Sequence, residues 1–204
     1  MSEPVTSVTG LAHHAAFEGV LMRDTDLSRQ RAGGVSMTAS ILHGVELPES
    51  ALEQLSLSDV ELDGCNLSNV ALPRARWHRV HARNCRMTGI LISGSVLSDV
   101  TFTDCRIDLA SFGSSRLERV AFDGCRLAQT DFMESQLQDV RFERCDLTEG
   151  DFRGATLRRC QARGCELSAI QGAERLRGLA MPWPEIVANA AVWAIALGIV
   201  ELED

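Results

Sequence analysis

From Ala15 to Ala169 the chain divides into 31 consecutive blocks of five, and the third residue of every block is apolar, from Phe17 to Leu167. No insertion breaks the phase. The first residue of a block is mostly small (Ala, Ser, Thr, Val or Cys), and the other three are mostly polar. With 45% hydrophobic residues overall, such an unbroken run is not chance. A period of five suits neither an isolated helix nor a strand, whose side chains repeat every 3.6 and 2 residues. It suits a coil with flat sides and a turn after each block.

A second period of 20 fixes the number of sides. Cysteines open blocks at 65, 85, 105, 125, 145 and 165, and valines at 60, 80, 100, 120 and 140. Phenylalanines recur every ten residues from Phe102 to Phe152, on opposite sides of a four-sided coil. Four blocks per turn account for all of these. One such coil cannot bury its inward face alone, so coils must stack and hydrogen-bond along an axis at roughly 4.8 Å spacing. About eight coils give a rod on the order of 38 Å long. The inward first residue is small because four walls converge there. Trp77 followed by Ala82 reads as size compensation within one coil. Aromatic residues make up only 5% of the chain, with no tyrosine, so stacked aliphatic and Phe columns must fill the interior.

Blocks such as TDLSR, CNLSN, CDLTE, TDFME and GDFRG resemble the pentapeptide-repeat family, whose pattern is a small residue, Asp or Asn, Leu or Phe, then two polar residues. The resemblance spans about three quarters of the chain. It implies an all-β fold, a right-handed quadrilateral parallel β-helix. The expected organisation is a lead-in or cap over residues 1–14, the β-helix over 15–174, and a linker with an apolar α-helix over 175–204. In that last segment Pro184 suits a helix's first turn and Gly198 its end. A helix apolar nearly all round must be covered on more than one side. One side can cap the last coil, whose open edge invites aggregation, and a second copy is the simplest cover for the other. The expectation is a tail-to-tail homodimer through Trp183, Ile186, Val187, Ala190, Trp193, Ile195 and Leu197.

Chemistry is hard to place on such a rod. The cysteine column points inward, and its spacing of 20 matches no zinc motif. Ser95, Ser115 and Ser135 are inward column residues without a histidine and acid to serve them, and His78 and His81 read as a solvated surface pair. No phosphate loop or nucleophile motif occurs. An uninterrupted rod also lacks the concavity that catalysis needs. The expectation is a protein without enzyme activity, cofactor or metal. A net charge of −8 and a pI near 5.1 argue against direct binding to nucleic acid or to anionic membranes. No apolar run reaches the roughly 18 residues of a membrane span, and no signal segment opens the sequence, so the expected location is the cytoplasm.

Charge placement is more informative. Over residues 125–174, the cysteine face and its neighbour carry Asp131, Glu134, Asp146, Glu149, Asp151 and Glu166, with Arg126 and Arg153 among them. The other two faces are net basic there. This acidic edge is the expected partner-binding site. Within the family, the chain is similar to the dimeric fluoroquinolone-resistance members, of mycobacterial and Qnr type, in its full-length rod and apolar tail; it lacks the loops that break the repeat in the Qnr type, as the mycobacterial type does. That resemblance implies a DNA-mimicking protein that binds a type II topoisomerase, DNA gyrase or topoisomerase IV, and protects it from poisons. The alternative is a structural or scaffold solenoid with a different protein partner.

Overall fold

A computed structural model describes residues 9–200. The chain winds into a four-sided parallel β-solenoid in which strands pair residues 20 apart, for example Trp77 with Leu97 and Ala82 with Phe102, until the tail, where Gln161 bridges Ala180. Numbering the faces in chain order, the first is centred on Phe17, Met37 and so on to Leu157, the second on Met22 to Ala162, the third on Leu27 to Leu167, and the fourth on Ala32 to Phe152. On the first face eight strands stack, from Ala16–Glu18 to Thr156–Arg158. In the middle coils the first and second faces share one strand that runs through the corner, as in Ser56–Asp63, Arg76–Arg83 and Val96–Thr103. The third and fourth faces are held mostly by single bridges, such as Arg86 to Arg106 and Leu91 to Ser111.

The corners have one solution throughout. Every fifth residue from His14 to Ala169 has a positive φ, and only nine of these positions are glycine. The left-handed region costs an ordinary residue roughly 1–2 kcal/mol, and it is worst for β-branched side chains. None of these corner positions holds Val, Ile or Thr. The strain is offset because, before the last coils, corner N–H groups find a carbonyl in the next coil: Asp104 N donates to Asp123 O at 2.9 Å, and Glu134 N to Arg153 O at 3.0 Å. At six second positions (Asp26, Asn66, Asp131, Asp146, Asp151 and Glu166) the side chain also tightens the turn by accepting the N–H two residues on. Asn66 does so for Ser68 at 3.1 Å and Asp146 for Thr148 at 3.0 Å.

The interior is two kinds of column. Third residues fill the axis. Phe102, Phe122 and Phe142 stack on the second face with centroids 4.9 and 5.3 Å apart, and Phe112, Phe132 and Phe152 stack on the fourth at 5.3 and 5.0 Å. Across the lumen the two stacks meet edge to face, the geometry that ring quadrupoles favour. First residues line the walls, and most of the polar ones share one bond, to the carbonyl 23 residues back; Ser135 Oγ instead donates to Phe132 O and Ser40 Oγ to Thr38 O. Cys65 Sγ reaches Leu42 O at 3.3 Å, Ser95 Oγ donates to Leu72 O at 3.2 Å, and Thr130 Oγ1 to Ile107 O at 3.1 Å. Cysteine, serine and threonine are therefore interchangeable solutions to one backbone requirement.

At the last coil the stacking continues briefly into the tail. Ala180 N donates to Cys160 O, and Ala162 N to Ala180 O. Gly172 makes the turn out of the solenoid with φ 71°, and a Cβ there would lie 2.6 Å from Arg153 N, so no other residue fits without displacing backbone.

Trp77 and Ala82 are both fully buried, and the indole reaches Phe102, which stands on the coil above Ala82. The large and small side chains thus share one volume. Ala82→Phe alone is expected to overpack the coil and cost about 1–3 kcal/mol. Trp77→Leu alone leaves a cavity costing about 2–5 kcal/mol. The double variant should recover at least about 1 kcal/mol relative to the sum, read from urea unfolding midpoints. Strict additivity would mean the two residues do not share space.

Candidate interaction surfaces

The cysteine column faces inward as its position requires. Cys65, Cys85, Cys105, Cys125, Cys145 and Cys160 are buried, Cys165 is half-buried at the last coil, and all are unbridged. Burial pushes the Cys160 thiol up. Contacts with neighbouring thiols, together with burial, push Cys85 and Cys125 up. A neutral buried thiol is a packing group rather than a nucleophile. Ser95 and Ser115 are committed to backbone: Ser95 Oγ accepts from Ala75 N at 2.8 Å, and Ser115 Oγ from Ser95 N at 3.0 Å. His78 lies beside Ser98, with Nδ1 and Oγ 2.9 Å apart, and faces Asp99. Among the described residues no group of three or more His, Cys, Asp or Glu is placed to hold a metal. No helix among them is long and apolar enough to cross a membrane. Surface depressions of roughly 330–390 Å³ are open grooves along the faces, one of them lined by Arg116, Glu118, Gln136 and Arg158.

The acidic residues lie together on the third and fourth faces of the last coils. Asp131 stacks on Asp151 and Asp146 on Glu166 in direct register. Asp131 accepts Met133 N and Ser111 Oγ, both at 2.7 Å, Glu149 accepts Gln129 Nε2 at 2.7 Å, and Glu166 accepts Ser168 N at 3.0 Å. Glu134 accepts Ser114 Oγ at 3.3 Å. Of the six, only Asp151 has a salt bridge among the described residues: the Arg153 guanidinium, 2.6 Å away, holds its carboxyl below the usual range. Arg126 turns to Asp108 at 3.6 Å and away from this patch.

The tail departs from the expected single helix. Two short helices form, α1 over Trp183–Ala188 and α2 over Ala190–Ala196, joined at Asn189. The break has a local cause. Asn189 Nδ2 bonds Glu185 O at 2.8 Å, and the Ile186 carbonyl, which a continuous helix would give to Ala190, accepts Trp193 Nε1 at 2.9 Å. Pro184 does sit in the first turn, and Gly198 follows the end with φ 71°. Trp193 packs against the rod's own core, and Ile186 is half-buried. The other five residues expected at a dimer seam point outward: Val187, Ala190 and Leu197 are exposed, and Trp183 and Ile195 are 73% and 75% exposed. Glu185 Oε2 accepts Gly164 N at 2.9 Å and ties α1 to the edge of the last coil.

A family model described as "Pentapeptide repeat region" matches residues 35–112 and 102–171. The chain belongs to the pentapeptide-repeat family. Among solved structures, HetL, a pentapeptide repeat protein involved in heterocyst differentiation regulation in the cyanobacterium Nostoc, is 16% identical, with TM-score 0.41 over 84% of this chain and 91% of that one. A trypsin-treated variant of QnrB1, a plasmid-mediated fluoroquinolone resistance protein, is 16% identical, with TM-score 0.41 over 93% and 100%. A pentapeptide repeat protein of the Arabidopsis thaliana thylakoid lumen is 14% identical, with TM-score 0.37 over 67% and 72%. No curated protein matches the sequence significantly.

One pentapeptide-repeat corner carries a feature that the block pattern does not foretell. Between the first and second faces, successive coils place Asp59, Arg79, Asp99, Arg119, Asp139 and Arg159 directly above one another. Each arginine grips the aspartate of the coil below through two nitrogens. Arg119 Nε and Nη2 reach Asp99 at 2.6 and 2.8 Å, Arg159 reaches Asp139 twice at 2.6 Å, and Arg79 pairs with Asp59 in the same way. These bonds hold the three carboxyls below the usual carboxylate range. All six side chains are solvent-facing, so each pair contributes little alone. Their depressed carboxyls still give a sign: the stabilisation is present above the ordinary pKa near 4 and is lost as pH falls through the lower folded value. The melting temperature should therefore drop below about pH 4 at low salt, and less steeply in a triple Arg79→Gln, Arg119→Gln, Arg159→Gln variant. Identical pH profiles for the two proteins would show that the ladder carries no stability.

Proposed function

We propose that this protein acts without catalysis as a cytoplasmic, dimeric DNA mimic that occupies the DNA-binding saddle of a type II topoisomerase and thereby counters its poisons. The observation that carries the reading is the acidic patch at the tail end of the rod. Asp131, Glu134, Asp146, Glu149 and Glu166 project from stacked coils with hydrogen bonds but no arginine partner. A saddle built for phosphates meets a regular array of carboxylates as a competing polyanion. The exposed apolar face of α1 and α2 lies beside this patch in the chain. Pairing two copies through Trp183, Val187, Ile195 and Leu197 would cover a surface that a monomer leaves wet, and a two-fold seam would join two acidic patches into one longer track. In solution the particle is expected at twice 22.3 kDa. Trp183→Ser with Ile195→Ser should return it to the monomer mass in light scattering.

The carboxylates at second positions also hold turns, so the test must remove charge and keep shape. Asp146→Asn with Glu149→Gln preserves an acceptor for Thr148 N and Gln129 Nε2. In a supercoiling assay with DNA gyrase and a poison, the wild-type protein should inhibit or protect. The double variant should need roughly tenfold more protein for the same effect. No effect of the wild-type protein, or equal potency of the neutralised variant, would contradict the mimic.

A further inference from the structure

The same third face that ends in acids carries the opposite charge at its middle. Its second-position column begins with Asp26 and Glu46, passes Asn66, and then stacks Arg86, Arg106 and Arg126 in direct register before Asp146. Like charges on adjacent strands destabilise a sheet, so three stacked arginines are not there for the solenoid's own sake. Arg126 reaches Asp108, but Arg86 and Arg106 make no side-chain hydrogen bond or salt bridge among the described residues. They border an open groove of roughly 330 Å³ with Asn66, Asn84 and Asp104, and Glu46 lines its far end. On the adjoining corner stands Leu109, 56% exposed, and just over that corner Leu91, 49% exposed. Leu109 has φ 60° and is the one corner residue that is apolar and larger than alanine. A strained, exposed leucine is an outlier that the fold does not require. On the coil below it the surface is small and uncharged, with Thr88, Gly89 and Ser93, while Asp108 beside it is paired with Arg126 and Ser111 is bonded to Asp131.

We propose that Arg86, Arg106, Leu91 and Leu109 form a docking strip for an acidic amphipathic helix of a partner protein, lying along the rod axis. Three observations select that occupant. Arginine is enriched at protein-binding surfaces, and here it stands beside exposed apolar area. The arginines repeat at coil spacing, roughly 4.8 Å, while acidic residues on one face of a helix repeat at about 5–6 Å per turn, so two successive turns meet two successive arginines. The strip is also closed at both ends by acids, Glu46 on one side and Asp146 on the other, which repel any polyanion longer than a few coils. Duplex nucleic acid is thereby disfavoured, and the leucines offer nothing to a phosphate backbone. The strip is separate from the acidic patch and does not need the topoisomerase reading.

The test uses the full chain and a fluorescein-labelled, alanine-based helical peptide with Glu on three successive turns of one face and Leu beside them. Binding is read by anisotropy at low salt. The peptide should bind, its Glu→Lys counterpart and a short duplex DNA should not, and Arg86→Gln with Arg106→Gln should weaken binding roughly tenfold or more. Leu91→Ser with Leu109→Gly should weaken it comparably, whereas Asp146→Asn with Glu149→Gln should not weaken it. Thermal melts separate recognition from folding: Arg106→Gln should not lower the melting temperature, because it relieves repulsion in the column. No peptide binding, binding unaltered in the arginine or leucine variants, binding of DNA as tight as of the peptide, or an Arg106→Gln protein that melts earlier would each overturn the proposal.

Discussion

The structure depends on stacking coils at strand spacing around an axis too narrow for anything but a fixed pair of inward side chains per block. Because each coil's N–H and C=O groups bond the coils above and below, a residue 20 positions away is always the next neighbour, as Phe102, Phe122 and Phe142 show. That repetition explains why so few aromatic residues suffice. Six buried phenylalanines in two stacks, with Trp77 against Phe102, make a continuous interior. It also explains the walls, where Cys65, Ser95 and Thr130 answer the same orphan carbonyl with a thiol or a hydroxyl. Serines 95 and 115 thus belong to the backbone's accounting and are unavailable for catalysis.

Much of this was legible in the amino-acid order because the inward positions allow few residue types. The Phe alternation, the inward thiols and the pairing of Trp77 with Ala82 all follow from a phase that never slips. The corners were written there too, as a fifth position without β-branched residues, but a missing residue type is a fainter mark than a present one. The outer positions carry no such restriction. Asp99 and Arg119 become partners only when the corner stacks them, and Arg86 and Arg106 become conspicuous only when their neighbours leave them unpaired. The division of the C-terminal helix into α1 and α2 is not legible in the sequence, because apolar content says nothing about where a carbonyl is diverted. Asn189 and the indole of Trp193 settle that break through bonds with specific geometry.

A rod of this kind separates stability from recognition. Its core residues are interchangeable along a column, so any information about partners must lie in the outward positions, coil by coil. Three regions of the surface differ in character: the self-neutralising Asp–Arg ladder at one corner, the unpaired carboxylates near the tail, and the arginine–leucine strip at mid-rod. The first consumes its own charge and offers little to a partner. The other two leave charge of opposite sign uncompensated on adjacent coils of the same faces. Such an arrangement suits binding at defined places along the axis better than a uniform polyanion would, and the exposed apolar face of α1 and α2 offers a third contact at the end of the rod.

The period itself is open to a direct measurement. Deleting residues 105–124 removes one whole coil and joins Asp104 to Cys125, with every column kept in phase. Deleting residues 105–125 removes one residue more and turns Arg126 and its successors toward the axis. Circular dichroism melts should show the first protein folding cooperatively as a shorter rod, and the second losing the cooperative transition of everything beyond the junction. Two deletions that melt alike would contradict the account, because the interior would then be indifferent to which side chains enter it.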